Sequence, residues 1–309
     1  MTTQSSSNKF TVLDDLWFGD GTDEAAEKKA GQSLIATVGQ IYGLRPFPKA
    51  AYKLIELTKQ EDYELDEIQH VIESDPPLAS RTLQVVNSAA FGLQVRCTTV
   101  NHAVRLLGST PIREIATAIA VLEMFSGGHS EQLRDHGITV AALARYLATH
   151  CGLPTEDVYT CGLLHDLGKI LFTQVQGDEY EDILTETWGF RDRAHLLERE
   201  RFGFDHAVLA GHLLRFWRIP DPIPAVVAWH HQPGRAYRSK GELATLVSLI
   251  RLSDLLCYKL GDPEVPADKL VHEVAQDQSC VFLNLREDDL SKIWHDLHVV
   301  ATESTQVWL

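Results

Sequence analysis

Gly162-Leu163-Leu164-His165-Asp166-Leu167-Gly168-Lys169 places an imidazole, a carboxylate and an ammonium within five residues at the end of a predicted helix. Pro154-Thr155 restarts the chain just upstream, with Thr155 as the expected N-cap. Val158, Cys161, Gly162 and His165 then share one face, so the histidine points inward with apolar residues. Gly168 is the expected break of that helix.

Working outward, helical periodicity continues in both directions. Toward the N-terminus, a helix from about residue 131 to 151 carries His136, Val140, Leu143 and Leu147 on one stripe. Ser126-Gly127-Gly128 marks a boundary, preceded by expected helices over 101–107 and 111–125. Ser74-Asp75-Pro76-Pro77 reads as an N-cap followed by first-turn prolines, opening a helix through Leu78, Leu83 and Val86 that Asn87 to Gly92 closes. Ala51, Leu54 and Ile55, then Leu65, Ile68, Val71 and Ile72, continue the pattern.

Toward the C-terminus, an acidic mixed segment at 178–186 leads to a helix over about 192–201 and a turn at Gly203. Asp205 is an N-cap candidate with Phe204 stapled to Leu209, which puts His206 in the first turn. A helix from Asp221-Pro222 ends at His230-His231, stopped by Pro233-Gly234. A long helix after Gly241 follows, with Leu243, Leu246, Val247, Ile250 and Cys257 on the side that also carries Asp254. The last fifty residues read as two amphipathic helices. The expectation is an all-α fold: a mobile tail over 1–33, an N-terminal helical part over 34–128, and a helical bundle with C-terminal helices over 129–309. The tail holds one apolar island, Val12, Leu13, Leu16, Trp17 and Phe18.

Composition narrows the function. With 44% hydrophobic residues in 309 the chain can bury a proper core. Neither a membrane-spanning run nor a secretory signal is visible, so the expected location is the cytoplasm. The 28 Lys and Arg against 43 Asp and Glu give a net charge of −15 without a basic patch, which argues against direct nucleic-acid binding. Five scattered cysteines without a CxxC pair read as reduced, mostly buried apolar residues.

The polar residues expected on inward faces form a set: His136, His165, Asp166, His206, His230, His231 and Asp254. Unpaired, they are costly to bury. Imidazole nitrogen and carboxylate oxygen suit Mn, Fe, Ni or Zn, and five His with two Asp exceed what one tetrahedral ion needs. Two ions sharing a carboxylate would use them all, and such a pair can activate water for in-line attack on phosphorus. Lys169 would neutralise a phosphate oxygen. Each residue alone has a plainer reading: Asp254 as a partner of Arg251, His230-His231 as dipole partners at a helix C-terminus.

A histidine, then His-Asp followed by Gly-Lys, a later histidine, a His-His pair and a final Asp resembles the HD superfamily of metal-dependent phosphohydrolases. The first half sharpens this. Leu44-Arg45-Pro46-Phe47-Pro48, Ser74 to Arg81 and Val86 to Gly92 together resemble the HDOD family, the HD-related output domain of bacterial signalling proteins, over about residues 36–260. The resemblance implies an HD-like helical bundle. It implies metal ligation by His136, His165, Asp166, His206, His230, His231 and Asp254, with Asp166 bridging a binuclear Fe or Mn centre and Lys169 at a phosphate. It also implies output through contact with signalling proteins, the Asn87 to Cys97 loop being one contact region. An active phosphohydrolase on a nucleotide or cyclic nucleotide is the alternative. The Gly-Tyr-Pro motif of the cyclic-di-GMP phosphodiesterase branch is missing after His230-His231, and Gln132 stands where that branch has Glu.

Overall fold

Two carboxylate caps, one of them buried, and two sterically required glycines fix much of the architecture. The computed structural model describes residues 24–44, 47–57, 64–88, 93, 95–124, 130–154, 157–187, 193–239, 241–261 and 265–306. They form helices, with no strand among the described residues.

The first half holds α2 (Lys49–Leu57), α3 (Leu65–Glu73), α4 (Pro76–Val86), α5 (Val100–Leu107) and α6 (Ser109–Leu122). Asp75 caps α4 by accepting the Leu78 N–H at 3.1 Å, with proline in the first turn. Helix α6 is buried from Ile112 through Val121, and α2, α4 and α5 pack around it. Their apolar stripes, Ala51, Leu54 and Ile55 of α2 and Ile68 and Ile72 of α3, face the same core.

The second half is built on α7 (Ser130–His150), α8 (Val158–Leu164), α9 (Leu167–Gln176), α10 (Asp178–Thr187), α11 (Ala194–Phe202), α12 (His206–Phe216), α13 (Ile223–Trp229), α14 (Gly234–Ser239) and α15 (Glu242–Leu260). Helix α7 is central, packed on α8 and α15, while α12 packs on α13 and α9. A Cβ at Gly162 would lie 2.6 Å from the Ala141 Cα, so only glycine lets α8 approach α7 this closely. At Gly168 a Cβ would lie 2.0 Å from the His206 carbonyl oxygen. Both contacts set the distance between elements that carry site residues. Asp205 caps α12 by accepting the Val208 N–H at 2.9 Å.

Several expectations need correction. The helix break falls at His165-Asp166, between α8 and α9, and Gly168 lies inside the first turn of α9, where the lack of a Cβ admits the His206 carbonyl. The acidic segment at 178–186 is helix α10, with Tyr180, Ile183 and Leu184 buried on one side. Asp157 occupies the N-cap position of α8, and Thr155 lies outside the described residues. Three helices follow residue 265, not two: α16 (Ala267–Ala275), the five-residue α17 (Gln278–Phe282) and α18 (Glu287–Glu303).

Of the span 1–33 expected as a tail, residues 24–33 belong to a helix. Helix α1 spans Glu24–Leu44 and buries Leu34, Val38 and Ile41. It packs on α9 and α12, with the Tyr42 ring edge-on to Phe216 at 4.2 Å. The helix therefore lies against the bundle rather than opening the first half. Residues 1–23, including the apolar island, and the Ser126-Gly127-Gly128 boundary lie outside the described residues. No helix among the described residues is long and apolar enough to cross a membrane. None of the five cysteines forms a disulfide, and Cys97, Cys161 and Cys280 are buried.

Candidate metal centre

Helix α7 delivers His136, the turn between α8 and α9 delivers His165 and Asp166, the first residue of α12 delivers His206, the end of α13 delivers His230 and His231, and α15 delivers Asp254. Long-range packing of five elements brings all seven to one place. Asp166 is central: its Oδ1 lies 3.0 Å from His206 Nε2 and 4.0 Å from His230 Nε2, and its Oδ2 lies 3.5 Å from both His136 Nε2 and His165 Nε2. Asp254 Oδ1 lies 3.1 Å from His136 Nε2 and 3.7 Å from His165 Nε2. Asp254 does not pair with Arg251, whose guanidinium reaches Asp277 instead at 2.8 Å.

Hydrogen bonds at the far ring nitrogens orient the imidazoles. His165 Nδ1 lies 2.7 Å from the Gly162 carbonyl and His230 Nδ1 2.7 Å from the Val227 carbonyl, so each ring donates there and turns Nε2 inward. His206 Nδ1 lies 2.7 Å from Glu198 Oε2, which also accepts the His206 backbone N–H at 2.7 Å. Tyr180 donates to the other Glu198 oxygen at 2.6 Å. A carboxylate behind a histidine is the arrangement that fixes a metal-binding ring and raises its basicity.

Electrostatics follow from burial and crowding. Burial pushes the Asp166 carboxyl upward, but the charges of His165 and Lys169 outweigh it and hold it well below the usual range. Burial likewise opposes Asp254, but the His136 and His165 rings close beside it outweigh burial and keep it ionised. For His206, burial is outweighed by the Glu198 charge, and the ring is pushed up to about 9. His230 and His231 are held well below the ordinary imidazole value by burial and by neighbouring histidines. A neutral His230 thus aims a lone pair at an ionised carboxylate.

That conflict tests the fit of a metal. His165 Nε2, His230 Nε2, Asp166 Oδ1 and Asp254 Oδ1 are buried and make no hydrogen bond. Such atoms in a protein interior normally find a partner. Donor atoms from Asp166, His206, His230 and His231 lie within 4.8 Å of one another, as do those from His136, His165 and Asp166, and those from His165, His230 and Asp254. Imidazole nitrogens and carboxylate oxygens that converge on one buried place with several of their lone pairs unmet suit a divalent first-row ion.

Lys169 departs from the simplest expectation. Its ammonium donates to Asp166 Oδ2 at 2.6 Å and is buried, so it neutralises a carboxylate of the centre. A cavity of about 40 Å³ adjoins the cluster, lined by Gln132, Leu133, His136, Asp166, Lys169 and Tyr258 among others. It has room for a few waters, well short of the roughly 300 Å³ of a small-ligand pocket.

Sequence reasoning missed Glu198, Tyr180, His195 and Tyr258. His195 stacks on His231 with ring centroids 4.2 Å apart, and Tyr258 stacks on His136 at 5.0 Å. His195 and Glu198 sit three apart on α11, a spacing that places them on one helix face. Nothing in the sequence says that this face meets His206.

The fold and centre define an all-helical protein with an HD-type His/Asp cluster. A family model for the HDOD domain matches residues 44–233, and the chain belongs to the HDOD family. It is 27% identical over 231 residues to an uncharacterized protein of Treponema pallidum (strain Nichols), a match spanning 72% of this chain and 44% of that relative. The chain thus spans less than half the length of this curated relative. Among solved structures it resembles an HDOD domain protein with unknown function from Geobacter sulfurreducens, with a TM-score of 0.75, 19% identity, and coverage of 90% of this chain and 99% of that one. It also resembles a Shewanella amazonensis SB2B protein provisionally assigned as a phosphohydrolase, with a TM-score of 0.70, 21% identity, and coverage of 90% and 98%. At these identities the likeness establishes the fold.

Proposed function

We propose that this chain is a signal-transduction output module acting through contacts with other proteins, and that its buried cluster holds divalent metal. His136, His165, Asp166, His206, His230, His231 and Asp254 are the ligands, with Asp166 shared between two ions, Fe or Mn. The observation that supports this is the enclosure of the ligand set: the described walls leave about 40 Å³ beside it, and Lys169 is committed to Asp166. Exposed Leu65, Val95 and Leu106, all in the first half, supply apolar surface for a partner. Val95 lies within the segment from Asn87 to Cys97. The Asn87 side chain closes it, donating to the Cys97 carbonyl at 2.8 Å and accepting the Cys97 N–H at 2.7 Å.

A second reading, a phosphohydrolase on a nucleotide or cyclic nucleotide, is supported by the retention of every ligand together with Lys169. A bound divalent metal would lower the pKa of a water and polarise a phosphoryl oxygen. In that reading Lys169 leaves Asp166 to neutralise phosphate.

The test is metal content by plasma mass spectrometry on protein purified without chelator and with air excluded, followed by turnover of bis(p-nitrophenyl) phosphate. Roughly two ions per chain, lost in a His165→Ala, Asp166→Ala double variant, with no turnover, is the expected result. Turnover that disappears in Asp166→Ala while the fold survives favours the enzyme. Metal absent from the wild type even after Mn or Fe is supplied overturns the metal assignment in both readings.

A further inference from the structure

A second cavity lies where the two halves meet. Val85 of α4, Leu107 of α5 and Glu114 and Ile115 of α6 face Ile138, Ala142 and Arg145 of α7 and Tyr159 of α8, and Ser304 at the end of α18 adds a hydroxyl already hydrogen-bonded to Thr139 at 3.2 Å. Its volume is about 320 Å³, eight times that beside the metal cluster at about 40 Å³. This is the size of a small-molecule site with apolar walls and few polar groups.

The polar groups are unusual. Glu114 is only 3% exposed; its Oε2 accepts from Arg145 Nη1, while its Oε1 is buried with no hydrogen bond. Arg145 lies over the Tyr159 ring, its Cζ 5.3 Å from the centroid, and its side chain is 45% exposed. The guanidinium carries five N–H donors, and the contact with Glu114 uses one. The cavity therefore offers spare donors on Arg145 and an acceptor on Glu114 that makes no hydrogen bond, the Glu114 charge being met by Arg145 and, less strongly, by the buried Arg113. Burial raises the Glu114 carboxyl despite the charges of Arg145 and Arg113.

We propose that this cleft binds a small neutral molecule with a flat apolar body and an adjacent C=O and N–H, such as an aromatic amide or a lactam heterocycle. The carbonyl takes an Arg145 donor, the N–H satisfies Glu114 Oε1, and the ring lies between the apolar walls. An anion meets Glu114 and a cation meets Arg145, so net charge on the ligand gains nothing. The same two helices reach the metal centre: α7 carries His136 one turn or less from Ile138, and α8 runs from Tyr159 into His165. Occupancy of the cleft thus bears on the first half and on the elements holding two of the ligands at once. The assignment stands whether or not the centre holds metal.

The test is a methyl NMR titration of full-length protein labelled at isoleucine, following Ile115 and Ile138, with benzamide, benzoate, benzylamine and toluene as probes. Benzamide is expected to shift both methyls saturably, with a dissociation constant on the order of 1 mM, and to bind at least tenfold more tightly than the other three. Ala142→Leu, which fills the wall, abolishes the shifts, and Glu114→Gln weakens benzamide about tenfold. No saturable shift with benzamide overturns the proposal and leaves a cleft filled by water alone. Shifts of equal size in Ala142→Leu overturn the location, and charged probes binding as tightly as benzamide overturn the ligand class.

Discussion

Glu198 is the residue on which the His206 ring depends, since one of its oxygens takes both the ring N–H and the backbone N–H of His206 and the other takes the Tyr180 hydroxyl. Gln in its place keeps the shape but puts an amide where three donors converge on two oxygens. Glu198→Gln is expected to weaken metal binding by about 10- to 100-fold, measured by competition with a chromogenic chelator; unchanged affinity would remove Glu198 from the centre. Gly168 acts by size alone. Gly168→Ala forces a Cβ into the His206 carbonyl, and the expected cost of overpacking is about 1–3 kcal/mol or more in chemical denaturation, with metal content falling alongside. Gly39 has nothing within 4 Å of an added Cβ, so Gly39→Ala in the interior of α1 should be neutral or stabilising and serves as the control.

Between elements, caps and bridging pairs decide how helices join. Asp75 ends the loop into α4 with a single cap bond, so Asp75→Ala should lower stability by about 1 kcal/mol, read as a shift in denaturant midpoint without a change in slope. Asp277 does two jobs: it accepts the Ser279 N–H at the start of α17 and pairs with Arg251 on α15. Burial alone would raise its carboxyl, but the Arg251 hydrogen bond and charge outweigh burial and hold it below the ordinary value. A depressed carboxyl stabilises the fold above its unfolded value, near 3.9, and that contribution disappears as pH falls through the folded value. The wild type should therefore lose more stability than Asp277→Asn between roughly pH 5 and pH 2, in urea unfolding at each pH. Parallel curves for the two proteins would show that the pair contributes nothing.

At the scale of the molecule, a metal bound by the proposed ligands from five elements would stabilise the fold that assembles them. Metal at a hundredfold excess over its dissociation constant should add about 2.7 kcal/mol to the wild type, a rise of several degrees in Tm, and nothing to the His165→Ala, Asp166→Ala variant. A wild-type Tm indifferent to Mn, Fe and chelator would count against the centre. The identity and order of the polar positions were legible in the chain itself, because a histidine or aspartate on an apolar stripe breaks helical amphipathicity and is visible without any contact. The caps at Asp75 and Asp205 were legible for the same local reason: their bonds span three residues. Helix α1 packing on the bundle, the backbone contact that requires Gly168, and Glu198 behind His206 were not. Each is an encounter between segments whose sequences carry no mark of one another. The sequence by itself determined an all-helical chain, its family and the seven donors. Only the tertiary structure decided that those donors converge around Asp166 with their buried lone pairs unmet, since convergence is a property of packing and periodicity describes one helix at a time.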